Sequence, residues 1–278
     1  MLGRELTRLL ASRDDAETTA LGSRDCDITD RAAVESLIMH IRPEVIINCA
    51  AYTAVDAAED APGAADTLNH LAPAYIAAAT RKAGALLIHV STDYVFDGRA
   101  TTPYTEGDPT APLGIYGTTK LLGEKAVMES GCRYAIVRTQ WLYSSIGKNF
   151  MLTMLRLFET KQGIAVVNDQ TGSPTYAADL ANALTSIALG FAEGHEGVYH
   201  FSNAGSCTWY DFAISIAALH ATPCEIRPIA TADYPTKATR PRYSVLSKEK
   251  ISATFGISVP HWRDGLKRCF EALTADSQ

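Results

Sequence analysis

The stretch Leu86-Leu-Ile-His-Val-Ser-Thr-Asp93 decides the fold, because an apolar run there passes directly into hydroxyl and carboxyl side chains. Residues 86–90 are predicted to form a buried strand, as are the apolar runs 45–49 and 134–138. Helical patterns separate the three runs, which predicts βαβ units and a parallel sheet. With right-handed crossovers the fold class is α/β, a doubly wound, Rossmann-like sheet that binds ligands at the carboxyl ends of its strands.

Shorter patterns predict the elements around these strands. A weak strand is predicted at 17–21. Thr29 or Asp30 is expected to cap one of the helices, and Pro73 is expected to break another. Helices are predicted over residues 5–10, 31–41, 60–82 and 115–129.

The last third of the chain is richer in proline and has shorter elements, which predicts a smaller C-terminal α/β lobe packed over the sheet edge. Thr208 followed by Asp211 is typical of a capping box at the start of a helix in this lobe. We expect two domains, a dinucleotide-binding domain of residues 1–140 plus 176–203 and a substrate-binding lobe of residues 141–175 plus 204–278.

Composition and charge argue against several classes of function. The 278 residues carry a formal net charge of −6 without a basic run of five or more, so no nucleic-acid partner is expected. No apolar run reaches about 18 residues and the N-terminus lacks a signal-peptide pattern, so a cytoplasmic protein without a membrane partner is expected. The six cysteines form no C-x-x-C pair and the seven histidines lack metal-ligand spacing, so neither disulfides nor a zinc site is predicted.

The strongest local motif for chemistry is Tyr116-Gly-Thr-Thr-Lys120. On a helix the two side chains share a face, and a lysine ammonium lowers the pKa of a nearby tyrosine from about 10 toward neutral pH. Thr92, at the end of the preceding strand, can hydrogen-bond a substrate carbonyl. The Tyr–Lys spacing alone also fits a chance surface pair, and Ser91 and Thr92 also fit a turn cap.

Small residues follow the first predicted strand in Asn48-Cys-Ala-Ala-Tyr-Thr53. Ala50 and Ala51 would let a flat cofactor pass close to the backbone, although they also fit ordinary strand packing. Because this segment and residues 91–93 each follow a parallel strand, both are predicted to line one site at the same edge of the sheet.

In this order the motifs resemble the extended short-chain dehydrogenases/reductases. Several longer sequence motifs resemble the dTDP-4-dehydrorhamnose reductase family. The two motifs STDYVFDG at 91–98 and NDQTGSPT at 168–175 are together far more specific than the Tyr–Lys spacing. The similarity runs from Gly3 to about Phe270. It implies hydride transfer from NADPH or NADH to the 4-keto group of dTDP-6-deoxy-L-lyxo-4-hexulose (dTDP-4-dehydrorhamnose), giving dTDP-L-rhamnose.

The resemblance also implies roles for individual residues. Tyr116 would donate the proton, Lys120 would be its partner and a ribose ligand, and Thr92 would tune the carbonyl. Asp93 would bind the sugar hydroxyls and Trp141 would form an apolar wall for the sugar. The cofactor would contact Gly3, Asp27, Ile28, Ala51, Tyr52, Thr53 and Val90, together with Tyr116 and Lys120.

Two further expectations follow from the same family, and a third follows from the residues themselves. Asn69 would be a polar support beside the sheet. Some members dimerise through magnesium, which implies a homodimer with Glu5 as a candidate Mg²⁺ ligand. Arg24 follows the second strand candidate, where a carboxylate would favour NADH, so it favours NADPH, although it also fits a solvated loop arginine.

The sequence departs from the family at its beginning. The family opens with a strand and a G-x-x-G-x-x-G turn that holds the cofactor pyrophosphate at a helix N-terminus. Gly3 matches the last glycine, and about ten residues before it are absent. Two explanations fit: Met1 is an internal methionine of a longer protein, or the short chain binds cofactor weakly. We expect the first, because the catalytic residues are all in place.

Two alternative functions belong to other classes. The chain could be a non-catalytic regulatory subunit resembling the methionine adenosyltransferase regulator, against which the intact Thr92, Tyr116 and Lys120 argue. It could also be another sugar-nucleotide epimerase or dehydratase. Product analysis separates that hypothesis from simple reduction.

Overall fold

The structure, a computed structural model, describes residues 1–275, and its first half alternates helices and strands as the apolar pattern predicts. The elements of this half are α1 (Leu2–Leu10), α2 (Arg31–Ile41), β1 (Val45–Asn48), α3 (Val55–Asp60), α4 (Pro62–Asp66), a π-helical turn (Thr67–Leu71), α5 (Ala72–Ala83), β2 (Leu86–Thr92), a 3-10 turn (Asp93–Val95), α6 (Ile115–Glu129) and β3 (Arg133–Thr139).

The second half has shorter strands and returns once to the main sheet. Its elements are β4 (Leu142–Tyr143), α7 (Phe150–Thr160), β5 (Gly163–Val167), β6 (Thr171–Gly172), β7 (Thr175–Tyr176), α8 (Ala177–Gly190), β8 (Gly197–His200), β9 (Cys207–Thr208), α9 (Trp209–His220), β10 (Glu225–Ile229), a 3-10 turn (Thr231–Asp233), α10 (Glu249–Phe255) and α11 (Trp262–Ala275). Within residues 1–275, none of the helices combines the length and the apolar character needed to span a bilayer.

The main sheet has four parallel strands in the order β1-β2-β3-β8. Its register pairs Asn48 with His89 and Thr92 with Thr139, so the carboxyl ends of the strands lie along one edge. The apolar side chains of β2 and β3 are almost fully buried between helices on the two faces of the sheet. The α/β class with a parallel, Rossmann-like sheet is therefore confirmed, and the strand ends meet where the site was expected.

One edge of the sheet differs from the prediction. Strand β1 is only half-buried, whereas the run 45–49 predicts a strand buried on both faces. Within residues 1–275 it pairs with β2 alone, so its other side is an open edge. The weak strand prediction at 17–21 is wrong, because these residues are exposed and pair with no strand among residues 1–275. A strand needs a hydrogen-bonded neighbour, and an apolar run alone does not provide one.

Residues close in the sequence determine where several helices begin. Asp30 caps α2 by accepting hydrogen bonds from two N–H groups of the first turn. Thr208 and Asp211 form both bonds of the predicted capping box. The predicted helix 60–82 is divided by the π-helical turn, and Pro73 stands in the first turn of α5, where its missing N–H costs nothing. Helix α1 begins at Leu2, three residues earlier than predicted.

The C-terminal lobe has a core of its own. Helices α7, α9 and α11 pack around Tyr143, Phe212 and Trp262, which are fully buried, while β5 pairs with β10 in a separate two-stranded sheet. The apolar residues of α8 join the core of the main sheet instead. The exact domain boundaries stay a prediction, and residues 276–278 of the predicted lobe lie outside the described residues.

Candidate active site

The predicted catalytic side chains meet at the carboxyl end of β2. Thr92 is the last residue of β2, and Asp93 opens the 3-10 turn that follows. Helix α6 places Tyr116 in its first turn and Lys120 one turn further on. The Glu59 carboxylate accepts the first N–H of α6 at 2.8 Å, which fixes where this helix starts. We call Thr92, Asp93, Tyr116 and Lys120 the strand-end cluster.

The phenol of Tyr116 is held beside Thr92. Burial raises the pKa of the Tyr116 phenol above its usual range, and the neighbouring Thr92 hydroxyl, which favours the phenolate, does not offset this. Gly117 makes this arrangement sterically feasible, because a Cβ there would lie 2.2 Å from the Tyr94 carbonyl oxygen. Helix α6 therefore packs directly against the turn after β2, and the phenol remains a proton donor at neutral pH.

The Asp93 carboxyl is buried with one oxygen left over. Its side chain is 2% exposed, and its Oδ1 lies 3.1 Å from the Thr92 hydroxyl. Oδ2 has no hydrogen-bond partner within residues 1–275. Burial raises the pKa of Asp93 to about 7, although the hydrogen bond that Thr92 donates to Oδ1 opposes the shift. A free buried oxygen of this kind needs a polar partner, which a substrate hydroxyl can supply.

Lys120 is anchored on the sheet. Its Nζ donates to the Val90 carbonyl oxygen at 2.7 Å and lies 3.5 Å from Nε2 of His89. Burial lowers the pKa of Lys120 to about 8, against the attraction of the Glu124 carboxylate. The expected lowering of the Tyr116 pKa by Lys120 is therefore not seen in this structure, since burial raises that pKa and the lysine bonds to β2 instead.

Asn69 supports the segment after β1. It lies in the π-helical turn, accepts the Tyr52 N–H at 2.8 Å and donates to the Tyr52 carbonyl and to Thr119 of α6, each at 3.2 Å. This bears out its prediction as a polar support. Ala51 and Tyr52 are half-buried and Thr53 is exposed, so the segment is open to a ligand at the edge of the sheet.

The remaining predicted cofactor contacts lie in α1, in the turn before α2 and in β2. The first turn of α1 contains Gly3, and a Cβ on Gly3 would meet no atom within 4 Å. At the end of β1, burial raises the pKa of the Cys49 thiol to about 12. The cofactor contact of Gly3 stays a prediction. Asp27 caps its own turn, and Ile28 packs against the core under the sheet.

Trp141 forms a wall with a residue that the sequence did not single out. Its indole stacks on Trp209 with 3.5 Å between ring centroids and 10° between planes. Its backbone is left-handed, at φ 44°, a conformation that is uncommon for a residue with a bulky side chain. A Cβ on Gly172 would lie 2.5 Å from this indole, so the glycine of the 168–175 motif makes room for it. We call Trp141 and Trp209 the indole wall.

A buried ion pair beside the cluster was also missed. Arg138 of β3 donates to both carboxylate oxygens of Glu124, at 2.9 and 2.6 Å, and Ser91 donates to the same carboxylate at 2.5 Å. Glu124 is fully buried. Its position four residues after Lys120 places it on the same helix face, a spacing that could have identified it.

Glu5 does not lie in a cluster of metal ligands. Its buried carboxylate accepts a hydrogen bond from the Ser144 hydroxyl at 2.5 Å. Residues 1–275 contain no group of three His, Cys, Asp or Glu side chains placed to hold a metal ion. The Mg²⁺ ligand role of Glu5 stays a prediction.

A parallel doubly wound sheet with a tyrosine and a lysine one helical turn apart, beside a strand-end threonine, defines a short-chain dehydrogenase/reductase. The chain belongs to the family described as the RmlD substrate binding domain, whose model matches residues 1–275.

Known proteins are similar over nearly the whole chain. A dTDP-4-dehydrorhamnose reductase of Streptomyces griseus is 45% identical over 278 residues, covering 98% of this chain and 91% of that protein. A crystal structure of a dTDP-4-dehydrorhamnose reductase from Clostridium acetobutylicum matches with a TM-score of 0.94 and 39% identity, over 98% of this chain and 96% of that one. The enzyme from Bacillus anthracis in complex with NADP matches with a TM-score of 0.93 and 37% identity, over 98% and 95%.

Proposed function

We propose that this chain is an NADPH-dependent reductase that converts dTDP-4-dehydrorhamnose to dTDP-L-rhamnose. The observation that carries the proposal is the Tyr116 phenol, buried beside Thr92 at a strand end, next to an Asp93 oxygen that has no hydrogen-bond partner within residues 1–275. The substrate class rests on the full-length similarity to reductases of that name.

The strand-end cluster supplies the acid chemistry of the proposed reaction. NADPH, when bound, supplies the hydride for the sugar C4. Tyr116 donates its proton to the carbonyl oxygen as negative charge develops there, and the Thr92 hydroxyl would leave its bond to Asp93 Oδ1 to donate to the same atom. Because burial keeps the phenol protonated, the proton is available at the pH of the cell. Lys120, with a pKa of about 8, is suited to return a proton to Tyr116 after each turnover.

Sugar recognition is proposed to combine one polar and one apolar surface. Asp93 would accept a hydrogen bond from a sugar hydroxyl through Oδ2. Trp141 would present its indole face to the C–H groups of the deoxysugar ring, with Trp209 stacked behind it to hold the ring plane. A 6-deoxy sugar has the methyl group that such an apolar face favours.

NADPH is proposed over NADH on two grounds. The relative from Bacillus anthracis was crystallised with NADP. Arg24 lies in an exposed turn after the stretch 17–21, where a guanidinium can bind a 2′-phosphate. Arg24→Gln should raise the KM for NADPH and leave the KM for NADH unchanged. Equal effects on both cofactors would remove Arg24 from the proposal.

The first test is turnover of the purified chain with dTDP-4-dehydrorhamnose and NADPH. The proposal expects consumption of NADPH that depends on the sugar nucleotide, and dTDP-L-rhamnose as the product. An epimerised or dehydrated product would support the epimerase or dehydratase hypothesis instead. Binding of a methionine adenosyltransferase without turnover would support the regulatory subunit. No observation on this chain favours either alternative.

The homodimer, magnesium and a cytoplasmic location stay predictions. Sedimentation with and without Mg²⁺ tests the first two together, with Glu5→Gln as the matched variant. A metal-linked dimer requires the Glu5 carboxylate to leave its bond to Ser144. If the mass and the Mg²⁺ dependence are the same in the variant, Glu5 is not a ligand.

A further inference from the structure

A row of buried hydrogen bonds leads from β1 to Lys120. The Ala50 N–H donates to Asn48 Oδ1 at 3.0 Å, and Asn48 Nδ2 lies 3.1 Å from Nδ1 of His89. On the other side of the ring, Nε2 of His89 lies 3.5 Å from Lys120 Nζ. Asn48, His89 and Lys120 are 6%, 0% and 2% exposed, so water does not compete for these bonds. The proposed reaction assigns no role to Asn48 or His89.

The geometry fixes the tautomer of His89. A backbone N–H can only donate, so the amide oxygen of Asn48 must face Ala50 and its NH₂ group must face the ring. The NH₂ group in turn can only donate, so Nδ1 of His89 accepts. Complete burial and the nearby Lys120 charge hold the pKa of His89 well below its usual range, so the ring is neutral. Its one proton is therefore on Nε2, the nitrogen that faces Lys120.

An N–H group that faces the Lys120 side chain favours its neutral amine form. A neutral amine has a lone pair that can accept from Nε2–H, whereas an ammonium group has only donors and is repelled by the positive end of that bond. The Val90 carbonyl accepts one N–H of Lys120 in either form. Resting on the proposed reductase function, we propose that His89, oriented by Asn48, is a positioning residue that shifts Lys120 toward its neutral amine and so governs the return of protons to Tyr116.

The charged group beside Lys120 acts in the opposite direction. Glu124 on its own helix stabilises the ammonium form, although it is already paired with Arg138 of β3. The Cys49 thiol after β1 stays uncharged, because burial raises its pKa to about 12. Burial and His89 together oppose the effect of Glu124. Removal of the His89 N–H should therefore leave Lys120 protonated to a higher pH.

The tautomer can be read directly by ¹⁵N NMR of the full chain with ¹⁵N-labelled histidine, without cofactor or substrate. The fold contains its own control, because Nδ1 of the buried His200 lies 3.1 Å from the Tyr104 carbonyl oxygen and must carry the proton there. We expect His89 to stay protonated on Nε2 and His200 on Nδ1, and neither to titrate at neutral pH. Substitution of either histidine removes its own NMR signal, so the remaining signal belongs to the other. A proton on Nδ1 of His89 would overturn the proposal.

Two substitutions test the consequence for Lys120. Asn48→Asp offers an acceptor to the ring, so the His89 proton should move to Nδ1; if it stays on Nε2, Asn48 does not orient the ring. His89→Phe, or His89→Gln if that variant does not fold, should raise the Lys120 pKa in a ¹³C titration by about half a unit or more. It should also shift the alkaline limb of kcat upward while sparing the KM for the sugar nucleotide.

These readouts separate the inference from the proposed function. An unchanged Lys120 titration in the His89 variants contradicts the positioning role. If the chain has no reductase activity while the tautomer and the Lys120 shift are as expected, the positioning contact stands and the proposed function fails.

Discussion

The strand-end cluster and the indole wall face one ligand in the proposed complex, but they are built in different ways. Thr92, Tyr116 and Lys120 lie on regular elements, where hydrogen bonds to the sheet and tight helix packing fix them. Trp141 and Trp209 come from an irregular segment and the first residue of a helix, and they hold each other by stacking. The difference indicates that proton transfer needs fixed donors, whereas sugar binding needs a flat apolar area, so changes in the two regions should affect different kinetic constants.

The largest effect is expected for Tyr116→Phe. Loss of the general acid should lower kcat by roughly two to four orders of magnitude and leave the affinity for the sugar nucleotide nearly unchanged. Single-turnover oxidation of NADPH and calorimetry with the sugar nucleotide measure the two quantities. Tyr134→Phe is the matched control, because Tyr134 lies at the opposite end of β3 from the site. A near-normal rate in Tyr116→Phe would remove the acid role.

Glu124→Gln should reduce stability more than any change in the indole wall. It leaves the Arg138 guanidinium buried without its counter-charge, which costs about 3–5 kcal/mol. Urea unfolding measures the loss. The double variant Glu124→Leu/Arg138→Met removes both charges and should lose much less. If the single variant loses under about 1 kcal/mol, the ion pair does not hold the cluster in place.

Asp93→Asn should increase stability in a pH-dependent way. In the unfolded chain an aspartate has a pKa of about 3.9, whereas the pKa of Asp93 in the folded protein is about 7. The folded state holds the proton more tightly, so the wild-type chain loses stability as the pH rises from about 4 to 7 and no further above that. The asparagine variant avoids this loss and should be more stable by about 1–3 kcal/mol at pH 8. A gain that does not change between pH 4 and 8 would contradict a buried titrating carboxyl.

The smallest effects are expected at the indole wall. Trp141→Ala should raise the KM for the sugar nucleotide about tenfold with little change in kcat, since it removes contact area and no proton donor. Gly172→Ala pushes a methyl group against the same indole and should act in the same direction but less strongly. Steady-state kinetics of both variants measure this. An unchanged KM in Trp141→Ala would exclude it as the sugar wall.

The sequence predicts the strand-end cluster well for a physical reason. Apolar runs mark buried parallel strands, and polar residues directly after such a run can only lie at the carboxyl edge of the sheet. Thr92 and Asp93 are placed by this rule alone. The four-residue spacing of Tyr116 and Lys120 predicts that both side chains lie on one face of a helix. The structure places α6 over the predicted residues 115–129.

Contacts between distant segments could not be predicted in this way. Trp209 stacks on Trp141 across 68 residues of sequence, and no local pattern points to that pair. The open edge of β1 was missed because burial depends on neighbouring strands and not on the composition of the run. The tautomer of His89 depends on the orientation of one amide group, which only the fold defines.

The most direct test of the account uses NADPH deuterated at C4 of its nicotinamide, on the face from which hydride leaves, with dTDP-4-dehydrorhamnose and the wild-type chain. The account predicts dTDP-L-rhamnose with one deuterium at C4 of the sugar, which NMR and mass spectrometry detect together. A product without deuterium at C4, or with the label at another carbon, would contradict reduction of the 4-keto group.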